Sequence, residues 1–331
     1  MKRSLPSFIP VLIALSLVGC SGAGNSQPAP NAQPPAKQEA SQTNPATSTL
    51  KETTYPLTLK DATGKEVTFQ KAPERIISTS PAETEILFAL DLDDRIVGVS
   101  EYDDYPEAAL AKPKVGGVVT PNEEAILSHN PDLVIGGISM EKAVADKLKS
   151  LGMPVYVTHP KKLDDIMNNI IAMGVITNRQ EQAEKLVAQM KQDIAEVTDA
   201  VKNVKPEEKK KVYLEFSPGW TVGKGEFMDE LITLSGAINV ASDTEGWNAI
   251  SEEKILRDDP DVILYANGIV DTATSKKLED IILSRKGWEK MKAIRDKQVF
   301  GMDQNMLSRP GPRITQGLKD VAKAIYPDLV K

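Results

Sequence analysis

The chain is short of the residues that build disulfides and metal sites. Its 331 residues include one cysteine and two histidines. One thiol cannot close an intramolecular disulfide or supply a multi-cysteine zinc or iron–sulfur site. Two histidines fall short of a three-histidine zinc site. A formal charge of −7 gives no basic footprint for nucleic acid. The sequence has no Gly-x-Gly-x-x-Gly, no Walker A motif, no Gly-x-Ser-x-Gly and no His-Glu-x-x-His. Carboxylates are plentiful, yet nothing selects a pair as acid and base. The expectation is a protein that is not an enzyme and carries neither resident cofactor nor metal.

The one apolar run, Ser7–Val18, is too short to span a bilayer as a helix. It follows Lys2 and Arg3 and ends in Leu17-Val18-Gly19-Cys20. That is the form of a secretory signal over residues 1–19. Leu-x-Gly-Cys resembles the lipobox of bacterial lipoproteins. The resemblance implies cleavage before Cys20, diacylglycerol on its thiol, and a place on the extracytoplasmic face of the membrane. The only cysteine stands where that pattern needs it. Residues 20–54 are then a lipidated cysteine and a tether. From Ser21 to Thr54 the chain is rich in Pro, Ser, Asn, Gln, Ala and Thr and has no aromatic. Such a stretch buries too little apolar surface to offset the entropy of ordering.

From Tyr55 the pattern changes. Tyr55–Leu59 and Lys65–Phe69 alternate apolar and polar around Asp61-Ala-Thr-Gly64, which predicts a hairpin. Strands at Arg75–Thr79, Ile96–Val99, Leu133–Ile135 and Val155–Thr158 alternate with helices at Ala82–Leu90, Asn122–Ser128 and Glu141–Leu151. This alternation predicts an α/β lobe with a parallel sheet over residues 55–160. Residues 161–206 read as two helices with no strand. The second runs from an Asn178 N-cap, with Glu181 completing a capping box, to about Val204. Such a helix is roughly 40 Å long and acts as a spine. Residues 207–331 repeat the strand–helix alternation as a second lobe.

One internal echo is specific. Glu123-Glu124-Ala-Ile126-Leu, then Pro131-Asp132 and an apolar strand, matches Glu252-Glu253-Lys-Ile255-Leu, then Pro260-Asp261 and an apolar strand. The same offset separates every pair. The echo predicts two similarly built lobes, Rossmann-like, joined by one long helix, with a ligand cleft between them.

Four stretches carry a family resemblance: Arg75–Leu90, Gly98–Pro106, Asn130–Ile135 and Arg309-Pro-Gly-Pro-Arg313. The chain resembles the substrate-binding lipoproteins of ABC importers, in the helical-spine class that carries cobalamin, ferric siderophores or haem. Gly98–Pro106 and Trp247–Leu256 look most like the cobalamin-binding branch. By that resemblance Tyr102 and Trp247 line a corrinoid cleft, and Glu124 and Glu253, one per lobe, dock to arginines of the permease. Val118 stands where that branch has a further Trp. The implied partners are the permease's transmembrane subunits, a small ligand and, through the lipid, the membrane, with the chain itself a monomer.

Trp220, in Ser217-Pro-Gly-Trp, reads as a third stacking surface just past a strand end. Trp247, flanked by Glu245-Gly246 and Asn248, reads as a loop residue. Arg309, ahead of the last helix, is a candidate partner for a ligand phosphate or carboxylate. Lys224, Arg309 and Arg313 read as scattered cations, not the cluster a ferric catecholate needs. His159, Met140 and Met306 are the remaining candidate metal or haem ligands. Trp288 reads as structural and His129 as a surface residue.

Overall fold

The computed structural model of the protein describes residues 51–331. The expected signal, the expected lipidation at Cys20 and the expected tether up to Leu50 lie outside the described residues. Lys51–Thr54, expected as the end of the tether, belong to the folded body. Thr53 N donates to Asn178 Oδ1 (2.8 Å), Thr53 Oγ1 donates to the Val175 carbonyl (2.6 Å), and Lys51 pairs with Glu184.

The first lobe opens with the hairpin β1 (Leu57–Lys60) and β2 (Glu66–Phe69), antiparallel as the alternation predicts. Then follow β3 (Ile76–Ser78), α1 (Pro81–Ala89), β4 (Ile96–Val99), α2 (Glu123–Ser128), β5 (Leu133–Gly136), α3 (Lys142–Ser150) and β6 (Val155–Val157). The four later strands form a parallel sheet in the order β4-β3-β5-β6. Helices α4 (Leu163–Thr177) and α5 (Gln180–Val201) come next. The second lobe contains β7 (Lys211–Glu215), β8 (Trp220–Val222), α6 (Phe227–Leu234), β9 (Ile238–Asn239), β10 (Trp247–Ala249), α7 (Glu252–Asp258) and β11 (Val262–Asn267). It ends with α8 (Leu278–Ser284), α9 (Lys292–Arg295), β12 (Val299–Asp303), α10 (Gln304–Ser308) and α11 (Ile314–Ile325). Its parallel sheet runs β12-β11-β7-β9.

Taken from the other edge, the second sheet has the strand order of the first. In each, the first strand sits between the second and the third. The order reverses at β3/β5 and at β7/β11, and ligands of open parallel sheets bind at such points beyond the strand ends.

Side chains alternate across each sheet, and both faces are covered, as parallel sheets require. Ile76 faces one apolar cluster and Ile77 another; Val212 and Leu214 oppose Tyr213 in the same way. The larger cluster is continuous. It runs from Val67 and Phe69 through Met173, Val187 and Met190 of α4 and α5 to Leu214, Leu264 and Leu318. The connecting helices are therefore part of the core of both halves. Residues 51–331 lie in one compact unit. Polar ties add to this: Thr315 Oγ1 and Lys319 Nζ on α11 donate to the Asp193 carboxylate on α5 (2.8 and 2.6 Å).

The spine departs from expectation at both ends. Asn178 is not an N-cap. It is the left-handed C-cap of α4 (φ 58°), and Arg179 caps α5. Asn suits either position, since it tolerates the left-handed region as well as accepting cap bonds. The α5 helix has 22 residues and a length of about 33 Å, shorter than expected.

The echo extends to the backbone. Asn122 accepts from Ala125 N at the start of α2, and Ser251 from Lys254 N at the start of α7. Asn130 and Asp259 both adopt positive φ, 45° and 42°. Asp132 then accepts from Glu74 N and Arg75 N, and Asp261 from Lys211 N, tying each turn to the first strand of its sheet.

Candidate functional site

Tyr102 sits on the loop that follows β4. Ser100 and Asp103 on either side are buried and hydrogen-bonded to each other. The Lys114 ammonium donates to the Asp103 carbonyl (3.1 Å). The loop is thus pinned from below, and Tyr102 is left 60% exposed. It lines a cavity of about 350 Å³ between the two halves. Ser80–Ala82, at the N-terminus of α1, and Val118, Ile138 and Ser139 line the same side. From the second lobe come α10 and Ser308–Pro310. Close approach at the floor requires Gly137: a Cβ there would collide with Ser80 Oγ and the Glu83 carboxylate.

Glu83 and Asp103 lie beneath this wall. Burial pushes both carboxyls above the usual range, more than their hydroxyl partners pull them down. Ser80 and Thr158 serve Glu83, and Ser100 serves Asp103.

Arg309 lines the cavity but is engaged within the protein, not held ready for a ligand. Its Nη1 donates to Asp104 Oδ1 (2.6 Å) and Glu85 Oε1 (3.2 Å). Arg313 forks onto the same Glu85 carboxylate, Nε to Oε2 (2.9 Å) and Nη2 to Oε1 (2.6 Å), and lies 3.9 Å from the Tyr105 ring centroid. Glu85 is buried. The two arginines that seemed scattered in sequence form one clasp, with two guanidiniums from the second lobe on two carboxylates of the first. No sequence pattern singled out Glu85 and Asp104 as its other half. The only signal was a glutamate on the inward face of α1.

Trp247 is not a loop residue but opens strand β10, and Trp220 opens strand β8. Strands β8 and β10 pair antiparallel, with Trp220 opposite Ala249 and Trp247 opposite Val222. Cross-strand partners share a face, so both indoles stand on the same side of this ribbon. They are 48% and 40% exposed. Phe216 meets Trp247 edge to face at 5.1 Å. The turn carrying Trp220 is held by Glu215, which accepts from Gly219 N (2.8 Å) and is paired with Arg285. Neither indole lines the Tyr102 cavity. Gly246, beside Trp247, lines a second cavity of about 700 Å³ with Lys161, Lys162 and Lys224 and with the acids Asp165, Glu226 and Glu245. Among the described residues none of these lysines is in an ion pair.

Glu124 and Glu253 occupy equivalent positions on α2 and α7, both without an ion pair among the described residues. Met140 is buried in an apolar cluster with Ile77 and Val115, which removes it as a ligand. His159 is exposed beyond β6, and Met306 is half-buried on α10. Trp288 is fully buried against Tyr213 and Arg285, a structural residue as expected. Among the described residues no cluster of three His, Cys, Asp or Glu is arranged for a metal, and no helix is long and apolar enough to cross a membrane.

Two α/β halves of one strand order, sharing a core with two connecting helices and facing each other across a cleft with an aromatic rim, define a bilobal solute-binding protein. Residues 76–306 match the periplasmic binding protein family, and the chain belongs to it. The ABC transporter substrate-binding lipoprotein YvrC of Bacillus subtilis is 33% identical over 97% of this chain and 96% of its own. The crystal structure of the periplasmic vitamin B12 binding protein BtuF of Vibrio cholerae superposes with a TM-score of 0.66, at 28% identity over 77% of this chain and 97% of that one. The periplasmic haem-binding protein RhuT of Roseiflexus sp. RS-1, in apo form, gives 0.69 at 27% identity, over 77% and 98%.

Proposed function

We propose that the protein is the extracytoplasmic, lipid-anchored receptor of an ABC importer and that it captures a corrinoid, most simply cobalamin. The observation that carries this reading is the Tyr102 cavity, which has an exposed aromatic ring but no unpaired guanidinium. Such a wall suits a broad, neutral macrocycle better than a polyanionic chelate. Trp220 and Trp247 add apolar area on the opposite lobe. Lys161, Lys162 and Lys224 offer cations to the one phosphodiester that a cobalamin carries. The likeness to vitamin B12 binding proteins supports the same reading. Glu124 and Glu253 then dock the loaded receptor onto the permease, one per lobe, where charge sets orientation and on-rate more than affinity. Cys20 carries the lipid.

The test is spectroscopic. The purified folded body is mixed with cyanocobalamin or with haemin and desalted. Retention of one equivalent of the cobalamin visible spectrum is the expected result. A retained Soret band with no retained cobalamin overturns the corrinoid assignment and favours haem, for which the exposed Tyr102 phenol offers an oxygen ligand to ferric iron.

A further inference from the structure

Arg309 faces the cavity from the end of α10, and its backbone N–H is fixed on the Asn305 carbonyl (2.9 Å). Its guanidinium has two carboxylate neighbours. Glu85 is already forked by Arg313 through both of its oxygens and reaches Arg309 at only 3.2 Å. Asp104 is the nearer, at 2.6 Å, and its second oxygen accepts from the Asn305 amide at 3.4 Å. Asp104 stands at the rim, half exposed, while the Arg309 side chain is 15% exposed. One half-exposed carboxylate on the far lobe therefore takes up most of the charge of a cation that lines the cavity.

We propose that Asp104 is the specificity-determining residue of this cleft: it masks Arg309, so that the cavity accepts a neutral peripheral group and rejects a carboxylate. The proposal rests on the corrinoid reading for the identity of its first probes. The physics is a balance of charges. With Asp104 in place, the clasp counts two guanidiniums against two carboxylates. Neutralise Asp104, and Arg309 keeps only a share of Glu85. With its charge only partly matched, Arg309 can then take a ligand carboxylate from the cavity as a charge-assisted partner. With Asp104 present, the same ligand carboxylate meets a like charge at the rim.

The probes are cyanocobalamin and a cyanocobalamin monocarboxylic acid, which differ by one propionamide turned into a propionate. Their Kd values are measured by titration on the wild type, on Asp104→Asn, and on Asp104→Asn with Arg309→Gln. The expected result is a rise of about tenfold in affinity for the acid relative to the amide in Asp104→Asn. Adding Arg309→Gln should abolish the gain, and raised salt should shrink it. A structural loosening of the lobes would weaken both probes alike and leave their ratio unchanged. A ratio within twofold of wild type, or a gain that survives Arg309→Gln, overturns the proposal. If the wild type binds neither corrinoid, the function reading fails separately. Haemin against its dimethyl ester then supplies the acid-to-neutral ratio, and the same rise or its absence decides the role of Asp104. A chain that binds none of the four overturns both.

Discussion

The two lobes share a strand order and hold the acids beneath their exposed aromatics, Tyr102 in the first and Trp220 in the second, in opposite ways. In the second lobe Glu215 is fully buried and forms an ion pair with Arg285, while the same carboxylate holds the turn under Trp220. In the first lobe Glu83 and Asp103 are buried beside the Tyr102 loop, among hydroxyls and without an ion pair among the described residues. Burial keeps these two closer to the neutral acid. Both arrangements support a turn or loop that carries an exposed aromatic. One uses charge and the other uses neutral hydrogen bonds. By contrast, the capped helices α2 and α7, away from the strand ends, keep closely matching chemistry. The docking role proposed for Glu124 and Glu253 asks the two lobes to act alike.

The largest expected effect tests that shared task. Reversing both Glu124 and Glu253 to Arg should reduce uptake in cells to the level of a strain lacking the protein, with the Kd for ligand unchanged. Each single reversal should fall between. Full uptake by the double variant would remove the equivalence of the two edges.

The next prediction separates the cleft walls. Arg285→Ala leaves Glu215 buried and unpaired, a change that costs about 3–5 kcal/mol. Urea unfolding should show that loss. A loss below about 1 kcal/mol, the scale of an exposed pair, would mean that the pair is not needed to hold the turn.

Smaller effects should be symmetric. Asn122→Ala and Ser251→Ala each remove a side-chain cap and should each cost about 1 kcal/mol. Unequal losses, read by the same unfolding curves, would show that the echo is one of sequence and not of energetics.

The smallest effect is a slope. Carboxyls raised in the folded state contribute stability that is fully present below the ordinary carboxylate range, near pH ~4, and lost as pH rises through their folded values. Asp61 has the opposite sign. Burial pushes it up, but hydrogen bonds from Lys149 and Thr63 outweigh this and hold it low, so its contribution is lost on acidification. The two signs oppose each other in the wild type, so the difference between proteins is what matters. Glu83→Gln with Asp103→Asn should gain stability relative to wild type as pH climbs above about 4. A constant difference across pH would mean that those two acids ionise normally.

The architecture was legible wherever the signal was local. Strand–helix alternation marked both lobes, and the offset between Glu124 and Glu253 marked their likeness. Within each lobe the cap, the positive-φ residue and the Asp tie all lie close together in the chain. What stayed hidden was pairing at long range. Glu85 meets Arg309 and Arg313 from the opposite end of the chain, and no periodicity records that. The ribbon of Trp220 and Trp247 uses strands of three residues, too short for alternation to show. Asn178 misled for another reason: one side chain serves both kinds of helix end.

The attachment of Thr53 to the α4–α5 corner has a mechanical consequence. Any pull on the preceding chain is delivered to the connector, which both halves share, and not to either wall of the cleft. Lys51 lies 31 positions after Cys20. Covalent geometry limits the distance between them to roughly 100 Å. With Cys20 as the proposed anchor, the folded body is held by its connector within that radius of the membrane, not by either jaw.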